Sequence, residues 1–390
     1  MSDEKVAAQT KSAARGWLEI LGSRSLRMVL VLLGLWTALA IHPETREAFL
    51  TPNNFSNLTA QVAEIVIIGV GMTLIVLIRG IDLSVGAGMA LTGVVAAKLQ
   101  IDGQQPAAVA VIAAVAVAAV IGLWHGVLVT RFEIPPFIAT LSGFLAYRGM
   151  GLVISDARGL SPMRDDFGKL AGVLPTTISI GICLLGAATG AVLIYSRERR
   201  RKALALPTSS GSTLALQSAA IAAATAFFVV IYQRGMPVPV LIAALSAALG
   251  ALLLGRSRLG RYAVAIGGNA EAARLSGVPV ARVTVAIYLL TGVLTAIAGM
   301  VATARTNGVT PGNAGVMREL HVISAVVIGG TSLTGGRATM IGTVIGALIF
   351  GTLSNGMNLM NINSNWQLIL TGLILLGASL LDSLSNKKRT

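Results

Sequence analysis

Hydrophobic positions in this chain come in long unbroken blocks. They follow neither the period of two of a half-buried strand nor the one-sided stripe of a surface helix. A bilayer core of about 30 Å needs about 20 apolar residues of helix, and twelve runs approach that length. They are 26–41, 57–78, 83–99, 107–130, 136–154 and 176–195, then 214–232, 237–255, 283–304, 320–333, 338–357 and 366–381. The pattern predicts an all-α fold, a polytopic transmembrane helix bundle of about 12 spans (10–12). The third and tenth runs are short and abut glycine clusters, which predicts broken or half-helices there. The first run ends in Ala38-Leu39-Ala40, like a signal-peptidase site. The arm before it is long and mixed in charge, which argues for a retained first helix.

Composition sharpens this picture. Of 390 residues, 54% are hydrophobic and 12% charged, about half the charge of an ordinary soluble domain. A water-soluble enzyme and a disordered chain are both excluded. The net charge of +14 raises a nucleic-acid reading, so the placement of the charges decides. With the N-terminus inside, 21 of the 30 basic residues fall on the inside segments and eight on the outside ones, while the acids divide almost evenly. The dense clusters Arg197–Lys202 and Arg256–Arg282 share that inside face with the N-terminal arm and the tail. This is the positive-inside pattern of an inner-membrane, multi-pass protein with both termini cytoplasmic, and nucleic acid is not needed as a partner. The chain divides into a cytoplasmic arm (1–25), a membrane domain (26–382) containing a cytoplasmic loop (255–282), and a basic tail (383–390).

Catalytic chemistry is not encoded. Cys183 stands alone in an apolar run, and His42, His125 and His321 have no ligand spacing, so no metal site is expected. The phosphate-cradling GxxxxGK[ST] pattern does not occur, nor does a nucleophile–base pairing. Within the spans the ionisable groups are Glu64, Arg148 and, by position, His125. An ion-coupled secondary carrier using Glu64 and Arg148 is therefore the alternative reading. The structural reading of Arg148 is a hydrogen-bonded charge beside Tyr147.

Three segments carry information. In 79–88, a helix ends at Gly80, Asp82 caps the next one, and Gly86 and Gly88 admit another backbone. Asp82, Ser84 and Gly86 are thus candidates for a transport path. In 329–337, a glycine-rich break adds Gly330, Thr331 and Ser332. Leu83, Ser84 and Gly86 recur as Leu333, Thr334 and Gly336 at a spacing of 250, as two related halves would give. In 255–282, Asn269 is a good N-cap, Glu271 sits at the positive helix end, and Gly277 is a good stop. They define a helix of about two turns, too short to stand alone in water, which is either a surface-loop helix or a docking helix for a cytoplasmic partner. The polar run from Asn355 and Asn358 to Asn365, ahead of Trp366, either touches cargo or a delivery protein or is a loop with an interfacial Trp anchor.

GIDLSVG (80–86), PPFIATL (135–141), Arg148-Gly149, AIGGNAEAARLSGV (265–278), VVIGGTSLTGG (326–336) and LSNGMNL (353–359) carry a resemblance. Together, in order from about 53 to 383, they resemble the membrane permease of bacterial ABC-type monosaccharide importers, the ribose/galactose/xylose branch. The loop RERRRKALAL and an added helix pair at 176–232 look most like the xylose-type permeases. The resemblance implies a fold similar to the vitamin B12-type importers with two helices added. It also implies a homodimer, a separate cytoplasmic ATPase that holds ATP and Mg, and a periplasmic sugar-binding protein; no cofactor belongs to this chain. Carried over by position, Gly267, Gly268, Asn269, Glu271, Ala272, Arg274, Ser276 and Gly277 would form the ATPase-coupling element, with Glu271 and Arg274 meeting the ATPase. Arg79 and Glu64 depart from the pattern, which usually has a small or neutral residue at the first and an apolar one at the second.

Overall fold

The computed structural model describes residues 24–387. The arm expected at 1–25 lies outside the described residues but for its last two positions, as do the last three residues of the tail. Among the described residues every helix or strand element is helical, and two isolated bridges, Leu160–Val309 and Val173–Pro237, are the only extended pairings. In chain order the helices are α1 (Arg24–Ile41), α2 (Arg46–Phe49), α3 (Pro52–Leu77), α4 (Val85–Ile101), α5 (Ala107–Arg131), α6 (Pro136–Ile154), α7 (Asp165–Gly168) and α8 (Thr176–Ala203). They continue with α9 (Gly211–Ile231), α10 (Val238–Arg256), α11 (Arg258–Gly268), α12 (Ala270–Leu275), α13 (Val280–Arg305), α14 (Arg318–Ile328), α15 (Met340–Leu359) and α16 (Ser364–Lys387).

Each of the twelve apolar runs lands on a helix, and among the described residues eight helices are long and apolar enough to cross a membrane. The tenth run is the half-helix expected: α14 has 11 residues, about 16 Å of rise. The third run is not broken. It forms the continuous 17-residue α4, and its glycines are contact points, as expected of Gly86. A Cβ on Gly86 would meet the Gly315 carbonyl and Glu319, and one on Gly93 would meet Thr303. The repeat at a spacing of 250 is not structural either, because Ser84–Gly86 open a helix whereas Gly335 and Gly336 lie in a left-handed turn. Helix α16 runs to Lys387, past the boundary expected at 382.

Burial orders the bundle around α3. Its most apolar window is 94% buried, against 6% for α8 and for α9. The α8–α9 hairpin, which falls on the added pair expected at 176–232, packs mainly on itself and touches α3 through α9. Its exposed Leu185, Val192 and Val230 form a surface that suits lipid. Helix α1 is part of the bundle: Trp36 Nε1 donates to Thr352 Oγ1 at 3.1 Å, and Leu39 rests on Gly356 of α15. Because successive crossings reverse direction, the C-terminal ends of α3, α5, α8 and α10 lie on one side. They bring Arg79, Arg131, Arg200–Lys202 and Arg256 to a common basic end.

Helices without a hydrophobic drive between them associate through close packing of small residues. Ala110, Ala114, Ala118, Gly122 and Gly126 recur every fourth position on α5 and form its buried stripe, while Ile112 and Val120 face outward. That stripe meets α13 backbone to backbone. A Cβ on Gly122 would sit 2.4 Å from the Tyr288 carbonyl oxygen, and one on Gly292 would sit 2.3 Å from that of Ala118. Overpacking of such a contact costs about 1–3 kcal/mol. Gly122→Ala and Gly292→Ala are expected to lower the thermal midpoint of the detergent-solubilised protein by several degrees, whereas Gly149→Ala, with nothing within 4 Å, is expected to leave it unchanged.

Candidate functional site

The basic end carries a projecting helix on a packed base. Helix α12 starts at Asn269, whose Oδ1 accepts the Ala272 amide at 3.0 Å. It stops at Gly277, φ +82°, where the amides of Gly277 and Val278 donate to the carbonyls of Arg274 and Ala273. The expected cap and stop are therefore in place, over six residues. Of these only Ala273 is buried. Gly268, Asn269, Glu271, Ala272, Arg274, Ser276 and Gly277 are all exposed. Glu271 and Arg274 pair with each other at 2.8 Å, and that carboxylate raises the pKa of the Arg274 guanidinium through its hydrogen bond. Leu275, 79% exposed, is an apolar contact that sequence reasoning missed, because it reads as one more apolar position of the motif.

Gly267 belongs to the base rather than to the exposed face. A Cβ there would lie 1.9 Å from the Leu77 carbonyl oxygen and 2.4 Å from the Gly336 amide nitrogen. The Gly336 amide in turn donates to Leu77 at 3.0 Å. Arg79 closes the contact: its Nε donates to the Gly267 carbonyl at 2.8 Å and its Nη2 to that of Gly268 at 2.6 Å. It does so from φ +66°, a left-handed geometry that a side-chain-bearing residue adopts at a cost of about 1–2 kcal/mol. The C-terminal end of α3, the glycine-rich turn after α14 and the root of α12 are thus one knot. The departure noted at Arg79 has a structural reason.

The eight path candidates lie at separate places. Asp82 and Ser84 are buried, and Asp82 Oδ1 accepts both the amide (2.8 Å) and the hydroxyl (2.6 Å) of Ser84. Ser84 rather than Asp82 is the residue next to α4, with Asp82 bracing it from two positions upstream. Ser84 Oγ lies 3.5 Å from His125 Nδ1, and Tyr147 Oη lies 3.1 Å from His125 Nε2. The cluster borders a water-sized cavity of about 10 Å³. Gly86 packs on Gly315 and Glu319. Gly330, Thr331 and Ser332 are buried in the turn after α14, and Ser332 Oγ bonds Thr334 Oγ1 at 2.8 Å. Asn355 exchanges two amide hydrogen bonds with Asn54 at 3.0 and 2.8 Å, and Asn358 Oδ1 accepts from Gln367 at 2.9 Å. These last two are at the end opposite the basic one.

None of the eight lines the larger cavity, about 370 Å³, between α3, α4, α13 and the 306–317 segment. Its charged members are Glu64, Arg305 and Arg318. Glu64 is wholly buried near the middle of α3, 3.0 Å from Arg305 Nε and 2.9 Å from Arg318 Nη2. Arg148 is engaged elsewhere, donating to the carbonyls of Pro311 (2.8 Å) and Ala314 (2.6 Å), as its structural reading required. The pairing across 241 residues to Arg305 has no local signature; the shortness of the tenth run was the one hint that Arg318 lies deep. The short helix α7 also supports a neighbour. The Ala107 amide, opening α5, donates to Asp166 at 2.7 Å, and that bond holds the Asp166 carboxyl below the usual carboxylate range.

With this geometry in place, the comparisons assign the chain. The family model described as branched-chain amino acid transport system / permease component matches residues 54–379. The xylose transport system permease protein of Haemophilus influenzae is 38% identical over 349 residues, covering 88% of this chain and 92% of that protein. Its Escherichia coli K12 counterpart is 36% identical over 347 residues, covering 88% of each. The ribose import permease protein of Bacillus subtilis is 35% identical over 350 residues, covering 90% of this chain and 91% of that protein. No solved structure matches the chain.

Removing the Arg79 strut tests the knot directly. Two hydrogen bonds from a charged but exposed side chain contribute about 1 kcal/mol together after screening, a factor of about five in a local opening equilibrium. Arg79→Ala is expected to speed amide hydrogen exchange across 267–278 by roughly fivefold and to leave α5 and α13 unchanged. Arg79→Lys, which has no fork to span two carbonyls, should recover less than half of that protection.

Proposed function

This chain belongs to that permease family and is a multi-pass membrane transport subunit, not an enzyme; we propose that it forms the translocation path of an ATP-driven importer for a monosaccharide, a xylose-like pentose foremost. The basic end faces the cytoplasm, as the excess of Lys and Arg there favours. A separate ATPase with its ATP and Mg docks on α12, a periplasmic sugar-binding protein delivers cargo at the opposite end, and two copies of the chain assemble in the bacterial inner membrane. The family description names branched-chain amino acids, whereas the relatives given above are named for xylose and ribose. A sugar is therefore the reading preferred here.

One observation carries the proposal: a short, capped, exposed helix stands on a base that admits no extra atom. A helix this brief gains little from its own hydrogen bonds, yet Asn269, the Glu271–Arg274 pair and Gly277 hold its form while Leu275 is left outward. Those features suit a ball set into a partner's socket. The ion-coupled alternative loses its proposed pair, since Glu64 is matched by Arg305 and Arg318 while Arg148 binds loop carbonyls.

The test is uptake by the permease, its ATPase and the binding protein in liposomes. Xylose uptake is expected to require ATP and all three components, and leucine should not be carried. Glu271→Arg replaces an attractive neighbour of Arg274 by a repulsive one on an exposed surface. It should cut ATP-driven uptake at least tenfold at unchanged protein abundance. Normal uptake by that variant, or uptake by the permease alone under a proton gradient, would overturn the assignment.

A further inference from the structure

Helix α14 reaches from the basic end only as far as Glu64, so half of the bundle's depth beside it is filled by the non-helical 306–317 segment. Non-helical backbone at such depth persists only where protein or a polar cavity satisfies it. Here both apply. Leu160 and Val309 exchange amide–carbonyl bonds at 2.9 Å, the Met163 amide donates to Asn307 at 3.1 Å, and Arg148 takes two further carbonyls. What is left open is the 370 Å³ cavity, at the lower end of the about 300–1,000 Å³ of small-molecule sites.

We infer that this cavity is a transit site for one neutral monosaccharide within each copy of the chain, in which Arg305 and Arg318, steadied by Glu64, donate to sugar hydroxyls; the inference rests on the importer reading above. The donors are positioned in advance: one buried carboxylate fixes two guanidinium groups, both of which keep part of their surface open, 32% for Arg305 and 22% for Arg318. Glu64 Oε2 and Arg318 Nε lack an aligned hydrogen-bond partner and are themselves buried, so what the triad offers the cavity is the open part of its two guanidinium groups. Ser161, Thr306, Thr310 and Asn313 add short polar groups around the same space.

A neutral ligand follows from the importer reading, and the two guanidinium groups suit it as hydrogen-bond donors, both being set against Glu64. The lining holds no aromatic ring on which the apolar face of a sugar would stack. Binding by hydrogen bonds exchanged against water is weak, which suits a site that must also release.

The experiment is saturation-transfer NMR on the permease–ATPase assembly in nanodiscs, without the binding protein, using xylose and its carboxylate analogue xylonate as probes. Saturable xylose binding with a Kd of about 1 mM or weaker is expected, with xylonate weaker still. Thr310→Leu and Asn313→Leu, on the exposed loop, should each weaken it at least tenfold, and Glu64→Gln should do the same if it folds. No saturable xylose signal, no effect of the two loop variants, or preference for xylonate would overturn the inference. Stimulation of ATP hydrolysis by the sugar-loaded binding protein in the same nanodiscs separates the two readings. If stimulation is intact and the cavity binds nothing, only the transit site falls.

Discussion

The structure depends on a place where three backbones touch without a side chain between them. At the basic end, Gly267 sits against the Leu77 carbonyl and the Gly336 amide, closer than any Cβ would permit. Gly336 makes that approach from φ +75° and its neighbour Gly335 from +80°, conformations that glycine adopts without steric cost. Arg79 then ties the Gly267 and Gly268 carbonyls to the end of α3. A polar contact of this kind would be weak on a mobile loop. Here it joins the most buried long helix of the bundle to the root of the projecting α12, so α12 has a fixed address relative to the core.

A second constraint is the accounting of backbone hydrogen bonds where helices stop short. Helix α14 covers about half of the bilayer depth, and the segment before it must find partners that a helix would supply internally. Arg148, Asn307 and the Leu160–Val309 bridge provide them. The same requirement bears on the charges deep in the bundle: Glu64 pairs with two arginines, Arg148 donates to two carbonyls, and Asp82 accepts at the start of α4. A buried charge stripped of its partner costs several kcal/mol, and these pairings avoid that.

How much of this was legible in the sequence follows from range. Span positions were readable because a run of about 20 apolar residues has few alternatives, and α12 was readable because Asn269 and Gly277 act on neighbours in the chain. Glycine was the ambiguous letter. The glycines of the third run suggested a break as well as a close approach, and only the approach is found, since Gly86 and Gly88 lie in a continuous helix, while the glycines after Ile328 do end one. Both uses need the same missing Cβ, so local pattern does not separate them. For the same reason Gly267 and Gly268 looked alike, and only one of them is buried. Glu64 was noticed as a charge in a span, but its partners come from segments more than 240 residues away, and the candidate path residues, taken from a helix cap, a glycine-rich break and a polar run, fell at separate places rather than along one wall.

The two clusters that long-range packing creates are on the same elements. The knot at the basic end joins the end of α3 to the turn after α14, and the helix that follows α12 is α13. The Glu64 cluster joins α3, α13 and α14 again, about 20 Å along α3. Between the two levels α3 and α13 are continuous helices, which transmit displacement better than loops do. No flexible linker separates α12 from that cluster: the helices between the two levels end on a carboxylate shared by two guanidinium groups, an arrangement held by direction-sensitive bonds. Close-packed glycines supply stiffness at one level, and a small set of charged hydrogen bonds joins three helices at the other.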